Sequence, residues 1–466
     1  MENMENMDFE TMRDKQAGEL MQLLDERRMK ELQLRLEDMN EFDVAEFLTE
    51  IGDNRMPMVF RLLSKETAAV VFANFDTPEQ EQIINSITDS ELSAIIEELY
   101  VDDAVDMMEE LPANVVKRVM RTATPETRRL INQYLNYPEN SAGSIMTAEF
   151  VDLKKYMNVR ESIARIRRIG EDKETIYTCF VTSADRKLEG VLSVKDLLLS
   201  DDETVIEDIM DTNIVFCMTH DDQEEAAEKI SDYDLMALPV TDKEGRLVGI
   251  VTVDDVIDVM EAEATEDFEL MAAMTPSDKP YSRTSAMDMW KRRVPWLMFL
   301  MLSATFTSMI INSFEDALAV QAVLIGFIPM LMGTGGNSGA QASTAVIRSI
   351  SLGDTEPKDV GPVIWKEFRV AVLCGLTLAA VNFVKMLLVD KLLLGNDAVT
   401  LTVAGVVSLS IVFIVMFAKV VGSVLPIAAE KLGADPAVMA NPLISTITDA
   451  VSLLIYFEIA KLMISF

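Results

Sequence analysis

The chain has 466 residues, with 77 Asp or Glu against 41 Lys or Arg and a formal net charge of −36. Such a balance repels nucleic acid and anionic lipid surfaces and attracts cations. One histidine (His220) and three scattered cysteines (Cys179, Cys217, Cys374) argue against a His-ligated metal, His catalysis, a zinc site or a disulfide framework. The charge is uneven: from Val294 onward 9 basic residues face 12 acidic ones, so a net of −33 falls on the first 293 residues.

In chain order, residues 1–14 are acidic without an apolar core, and are expected to be a disordered tail carrying no secretory signal. Over 15–138 apolar residues recur at spacings of three and four, as in ELMQLLDERRMKELQLRL and DSELSAIIEELYVDDAVDMMEELP. That periodicity predicts successive short helices, and Pro57, Pro78, Pro112 and Pro125 punctuate them. The expected fold is an α-helical superhelical N-terminal domain.

Over 139–262 the pattern changes and repeats. TIYTCFVTSADRKLEGVLSVKDLLL reads strand, polar turn, strand, helix, and MALPVTDKEGRLVGIVTVDDVIDVM reads the same way about 60 residues later. The two copies are expected at about 139–201 and 202–262. In each, a hydroxyl residue stands three before an acid, Ser193–Asp196 and Thr252–Asp255. That spacing caps the start of a helix.

From Asp254 to Glu269 the chain reads DDVIDVMEAEATEDFE, eight acids in sixteen residues, with no base before Lys279. If helical, Asp255, Asp258 and Glu266 lie near one face, with Glu263 and Asp267 beside them. Like charges at spacing three or four oppose a helix by roughly 0.2–0.5 kcal/mol per pair, so the stretch is suited to being neutralised by cations. Asp102 and Asp106, four apart in VDDAVDMMEE, and Asp222, Glu224 and Asp234 in the second repeat add further acids. Residues 263–293 are expected to form a connecting helix.

Five apolar stretches follow, near 294–312, 319–345, 367–389, 400–425 and 441–463. Each approaches or exceeds the roughly 20 residues that cross a bilayer, which predicts an all-α five-span transmembrane domain over 294–466. Lys291, Arg292 and Arg293 precede the first stretch, and Arg348, Lys358, Lys366 and Arg369 surround the second connection. The positive-inside rule then puts the acidic front in the cytoplasm and the C-terminus outside. Two of the stretches carry polar groups. PMLMGTGGNSGAQAST offers Asn337 and Gln341 one helical turn apart, with Gly336 and Gly339 permitting close backbone approach. NPLISTITDAVSLLIYF offers Asn441, Ser445 and Asp449 at spacing four. A carboxylate at mid-bilayer depth costs about 2.5–3.5 kcal/mol on insertion scales, and no base stands near Asp449 in the sequence. A permeating cation would offset that cost.

The whole chain resembles the MgtE family of Mg2+ channels. The helical front, NSAGSIMT leading into a pair that resembles tandem CBS domains (GVLSVKD, GIVTVDD), an acidic connecting helix and five apolar stretches carry the resemblance. GTGGNSGAQ and GADPAVMANPLISTITD are its most specific pieces, with Ala340 where some members have a second Asn. The resemblance implies a multidomain membrane protein: helical superhelical N domain, α/β tandem CBS pair, connecting plug helix and five-span domain. It implies no enzymatic activity, a homodimer in the lipid bilayer of the inner or plasma membrane, and passive Mg2+ uptake. It makes Asp449 the pore acid, with Asn441 and Ser445 lining the approach. It places regulatory Mg2+ at Asp102, Asp106, Asp222, Glu224, Asp234, Asp255, Asp258, Glu263, Glu266 and Asp267, closing the pore when cytosolic Mg2+ is high. It also allows ATP at the CBS pair through Ser193, Lys195 and Asp196, or through Thr252 and Asp255. The alternative is a CBS-regulated divalent cation (Mg2+ or Co2+) exchanger or secondary transporter.

Overall fold

A computed structural model of the chain describes residues 9–52, 54–277, 281, 284–314, 322–439 and 441–464. It divides into two compact units, Met1–Val259 and Met260–Phe466.

The first unit opens with short helices running from Phe9–Asp25 to Pro125–Tyr134. The first of them starts at Phe9, inside the segment expected as a tail. Residues 1–8 lie outside the described residues. Local chemistry sets the helix starts: Ser64 accepts the amide of Thr67, and Thr88 and Glu91 form a reciprocal capping box. Each such cap contributes about 1 kcal/mol. Glu41–Glu50 packs on Lys65–Ala73, that helix on Asp89–Glu98, and Asp89–Glu98 on Ala113–Thr122. Packing onto the helix two along the chain winds the domain into the expected superhelix around Leu32, Leu48, Phe72, Ile83 and Leu92.

The two α/β repeats have the same sheet. In the first, β1 (Val151–Leu153) pairs parallel with β2 (Thr178–Thr182), which pairs antiparallel with β3 (Leu188–Ser193). In the second, β4 (Cys217–Met218), β5 (Ala237–Thr241) and β6 (Leu247–Thr252) repeat that order. The registers match, Thr178 opposite Ser193 and Ala237 opposite Thr252, and each hairpin carries an irregularity at the equivalent place. The sequence repeat is thus a structural one.

The acidic stretch is helical, but the expected connecting helix over 263–293 is not a single element. The helix runs Val253–Met271. It ends because Ala273 takes a positive φ of 53° and the Met274 amide returns to the Glu269 carbonyl, 2.9 Å away. That is a left-handed helix stop, and Pro276 follows it. Residues 286–293 instead form the first two turns of the next helix, Ala286–Ser313.

Among the described residues of the second unit, four helices are long and apolar enough to cross a membrane by length and composition: Ala286–Ser313, Val360–Leu393, Leu401–Lys431 and Pro442–Met463. The second expected stretch is displaced. A short 3-10 turn covers Ala322–Phe327, and the helix proper runs Ile328–Ser351. Pro329 explains the start, since it lacks an amide proton and suits the first helical turn. At 24 residues this helix is about 36 Å long, but its Gly, Ser, Thr, Asn and Gln content keeps it less apolar than the other four.

Candidate functional site

The glycine-rich helix Ile328–Ser351 packs on Leu401–Lys431 and on Asn441–Met463. Gly335, Gly336 and Gly339 make that packing possible. A Cβ on Gly339 would stand 2.7 Å from Ile444 Cγ2 and 3.2 Å from the Ala418 carbonyl; one on Gly336 would touch Ser445, at 3.4 Å from its Oγ. Gly335, Gly336, Ser338, Gly339, Ala342 and Ser343 are buried, whereas Asn337 and Gln341 are exposed. The helix therefore seals one face on its neighbours and turns a polar stripe outward, one turn between its two amides, as the spacing predicts.

On the last helix Asp449 is half-buried. Among the described residues it receives no hydrogen bond and forms no ion pair. Ser445, one turn earlier, faces Gly336. Asn441 opens the helix, but its side chain lies outside the described residues. Thr448 turns its hydroxyl back to the Ser445 carbonyl at 3.0 Å. Within the apolar helices Lys385 pairs with Asp390 at 2.8 Å, and Lys419 is buried.

A second constellation lies in the first unit. The Val101–Glu110 helix, the segment around Glu149, the turn at Glu174 and the start of the acidic helix bring carboxylates together. Burial pushes the Asp102 carboxyl well up, and Asp103, Asp255, Glu174 and Glu149 add repulsion; its Oδ1 is buried with no hydrogen-bond partner among the described residues. Asp103 is pushed up to about 6 by burial and then by Asp255 and Glu149. Glu174 is pushed up to about 7 by burial, with Asp255, Asp254, Asp103 and Glu149 behind it. Burial raises Asp255 too, although the Thr252 hydroxyl donates to it at 2.5 Å. Asp106 is exposed on the same helix as Asp102, and its carboxyl is also raised. Of these acids the sequence had singled out Asp102, Asp106 and Asp255; Asp103, Asp254, Glu149 and Glu174 join them only in the structure. Asp103 and Asp254 were legible as the other halves of their Asp-Asp pairs. Nothing local marks Glu149 or Glu174.

The other acids are placed differently. Asp222 caps the Gln223–Asp232 helix by accepting the Glu224 amide at 2.9 Å, and Asp234 sits past its far end with a positive φ of 51°. Ten helical residues span about 15 Å, so one ion cannot bridge Asp222 and Asp234 of one chain. Asp258 lies in the first unit, with Glu263, Glu266 and Asp267 beyond the division. Asp267 accepts from Ser351 Oγ at 3.1 Å, and burial, then Asp435, raises its carboxyl. Beside it Leu270 and Met271 pack on Ile347 and Ala437, so the end of the acidic helix rests on the glycine-rich helix and on the turn that precedes Asn441. Among the described residues no three His, Cys, Asp or Glu side chains are close enough together to hold a metal ion.

Ser193 and Asp196 form a reciprocal capping box at the start of Val194–Leu199, and Lys195 is exposed next to them. The capping geometry is present, and it leaves Lys195 turned to solvent.

Helices long and apolar enough to cross a membrane, in one chain with an acidic helical domain and a tandem α/β pair, define a multidomain membrane protein. Residues 328–459 match a family described as a divalent cation transporter, MgtE; residues 39–140 match the MgtE intracellular N domain, and 206–262 a CBS domain. The chain is 38% identical to the magnesium transporter MgtE of Thermus thermophilus over 97% of its own length and 99% of that protein's. It is 30% identical to the Bacillus subtilis magnesium transporter MgtE, covering 94% and 95% of the two chains. A crystal structure of the cytosolic domain of the Mg2+ channel MgtE in complex with ATP superposes with a TM-score of 0.50 at 37% identity, covering 52% of this chain and 99% of that one. The chain belongs to the MgtE family.

Proposed function

We propose that the chain is a homodimeric Mg2+ channel of the cell membrane, passive in its conduction and closed by cytosolic Mg2+. The observation that carries the reading is Asp449, a carboxylate with no partner among the described residues, on a helix packed against one that turns Asn337 and Gln341 outward. Mg2+ sheds water reluctantly and is held through one or two carboxylates with several waters kept. Two copies of Asp449 about a two-fold axis suit such an ion, with Ser445 and Asn441 on the approach. The Ala286–Ser313 helix has no buried residue in a single chain, which leaves a wide apolar face for lipid and for the second copy. Five spans, counting the less apolar Ile328–Ser351 helix, put the N-terminal domains in the cytoplasm and the C-terminus outside.

Closure follows from the carboxylates. Without a cation, Asp102, Asp103, Glu149, Glu174, Asp254 and Asp255 repel one another at partly desolvated positions. Mg2+ relieves the repulsion there, and at Asp106, Asp258, Glu263, Glu266 and Asp267 along the acidic helix, with Asp222, Glu224 and Asp234 as further acceptors. The end of that helix rests on the turn before Asn441, so a change in it reaches the pore helix. Linkage requires that Mg2+ bind the closed state more tightly by the free energy it shifts. ATP at Ser193, Lys195 and Asp196 would bias the same switch. Mg2+ flux into liposomes holding the purified protein, with no other ion gradient, tests the reading: flux is expected, whereas dependence on a Na+ or proton gradient favours the exchanger.

A further inference from the structure

A cavity of about 440 Å3 opens in the first α/β repeat. Its apolar wall includes Phe150, Ile169 and Leu247, and Arg165, Lys173 and Arg186 stand around it with Asp152 and Asp172. The acids and bases are not equally available. Arg165 Nε donates to the Asp152 carbonyl at 2.7 Å and its terminal nitrogen to the Asp152 carboxylate, while Lys154 reaches the same carboxylate at 3.3 Å. Burial opposes the charge on Asp152, but these partners outweigh it and hold the carboxyl below its usual range. Lys154 also donates to Thr182 Oγ1 at 2.7 Å, so the hydroxyl lining the cavity is taken. Lys173 and Arg186, in contrast, make no ion pair or side-chain hydrogen bond among the described residues. Two uncommitted cations therefore face one uncommitted acid, Asp172 at the exposed rim.

Arg186 is held in place by the backbone. It occupies the hairpin turn between β2 and β3 with a positive φ of 62°, and its carbonyl accepts the Leu247 amide at 2.9 Å. One repeat thus supplies the cations while the other supplies Leu247 to the wall. The volume is that of a small-ligand pocket, with five charged side chains among its ten lining residues beside the apolar ones. Guanidinium and ammonium groups in such a setting recognise phosphate.

We propose that this cavity is a binding site for a small phosphorylated molecule with a planar or apolar body: the phosphate on Lys173 and Arg186, the body against Phe150, Ile169 and Leu247. It is separate from the capping site at Ser193. Ser193 pairs with Thr178 at one end of β2, and Thr182 lies at the other end, about 13 Å away at the rise of a strand.

The test is calorimetric titration of the purified full-length protein with AMP and with inorganic pyrophosphate. It is run on the wild type, the Lys173→Ala/Arg186→Ala double variant and Ser193→Ala, after melting curves show that all three fold alike. A milder pair, Lys173→Gln/Arg186→Lys, replaces the double variant if that one does not fold. The expected result is AMP binding that weakens at least tenfold in the Lys173/Arg186 variant and survives in Ser193→Ala. The proposal is overturned if neither probe binds at millimolar concentration, if the Lys173/Arg186 variant binds AMP as the wild type does, or if Ser193→Ala alone abolishes binding. Pyrophosphate binding as tightly as AMP would overturn the assigned role of the apolar wall.

Discussion

In the proposed channel, Asp449 is the residue on which conduction turns. Its charge has no partner among the described residues, and removing it relieves the cost of holding a carboxylate in an apolar domain. Asp449→Ala is expected to leave a folded, membrane-inserted protein and to abolish Mg2+ flux in liposomes; near-normal flux would remove it from the ion path. At the same scale, the carboxyls of Asp103 and Glu174 are raised to about 6 and about 7. A raised carboxyl favours the folded state while it is protonated. Its contribution is present below the ordinary carboxylate range near 4 and is lost as pH rises through 6 to 7. Without divalent cations, the melting temperature of the purified protein should fall by a few °C between pH 5 and pH 8. With millimolar Mg2+ the fall should shrink. A melting temperature that rises over that interval, or one indifferent to Mg2+ at pH 8, would count against the cluster as a cation sensor. A single side chain that breaks a strong pattern is the easiest to single out in a sequence. Asp449 stood out because its surroundings are apolar, whereas Glu149 and Glu174 look like ordinary surface acids until folding brings them to Asp255.

Among the elements, the glycine-rich helix depends on close approach. A side chain on Gly339 meets Ile444 and the Ala418 carbonyl, while one on Gly333 meets open space. Gly339→Leu is expected to destabilise the transport domain by about 1–3 kcal/mol or more through overpacking, seen as aggregation in size-exclusion chromatography and loss of flux. Gly333→Ala should fold and conduct, because a helical Gly→Ala change costs nothing where space is open. Equal tolerance of both would separate the glycines from helix packing. Periodicity made the short helices and the apolar stretches legible and the repeat predicted both hairpins, whereas the edge strands β1 and β4 and the break after Met271 were not read. Ends were legible only where a local device sets them. Pro329 starts the glycine-rich helix later than the apolar stretch suggested. The stop at Ala273 was invisible because it is an alanine, rather than a glycine, that takes the left-handed turn.

In the whole molecule, charge and hydropathy alone separate an acidic front from a membrane-spanning back, and the family resemblance joined them into one transporter. What the sequence could not supply was the pairing of distant acids, because Asp102, Glu149, Glu174 and Asp255 meet only through the stacking of the helical domain on the α/β pair within the first unit. Neutralising Asp255, Asp258, Glu263, Glu266 and Asp267 to Asn or Gln should weaken closure by Mg2+ while sparing conduction through Asp449. Unchanged inhibition in that variant would reduce the acidic helix to a solubilising surface. The most direct measurement is patch-clamp current through the wild-type protein as Mg2+ on the cytosolic face is stepped from micromolar to millimolar. The account predicts Mg2+ current with no Na+ or proton gradient at the low end and its loss at the high end. Current that persists undiminished at millimolar Mg2+, or that appears only when a Na+ or proton gradient is imposed, would contradict it.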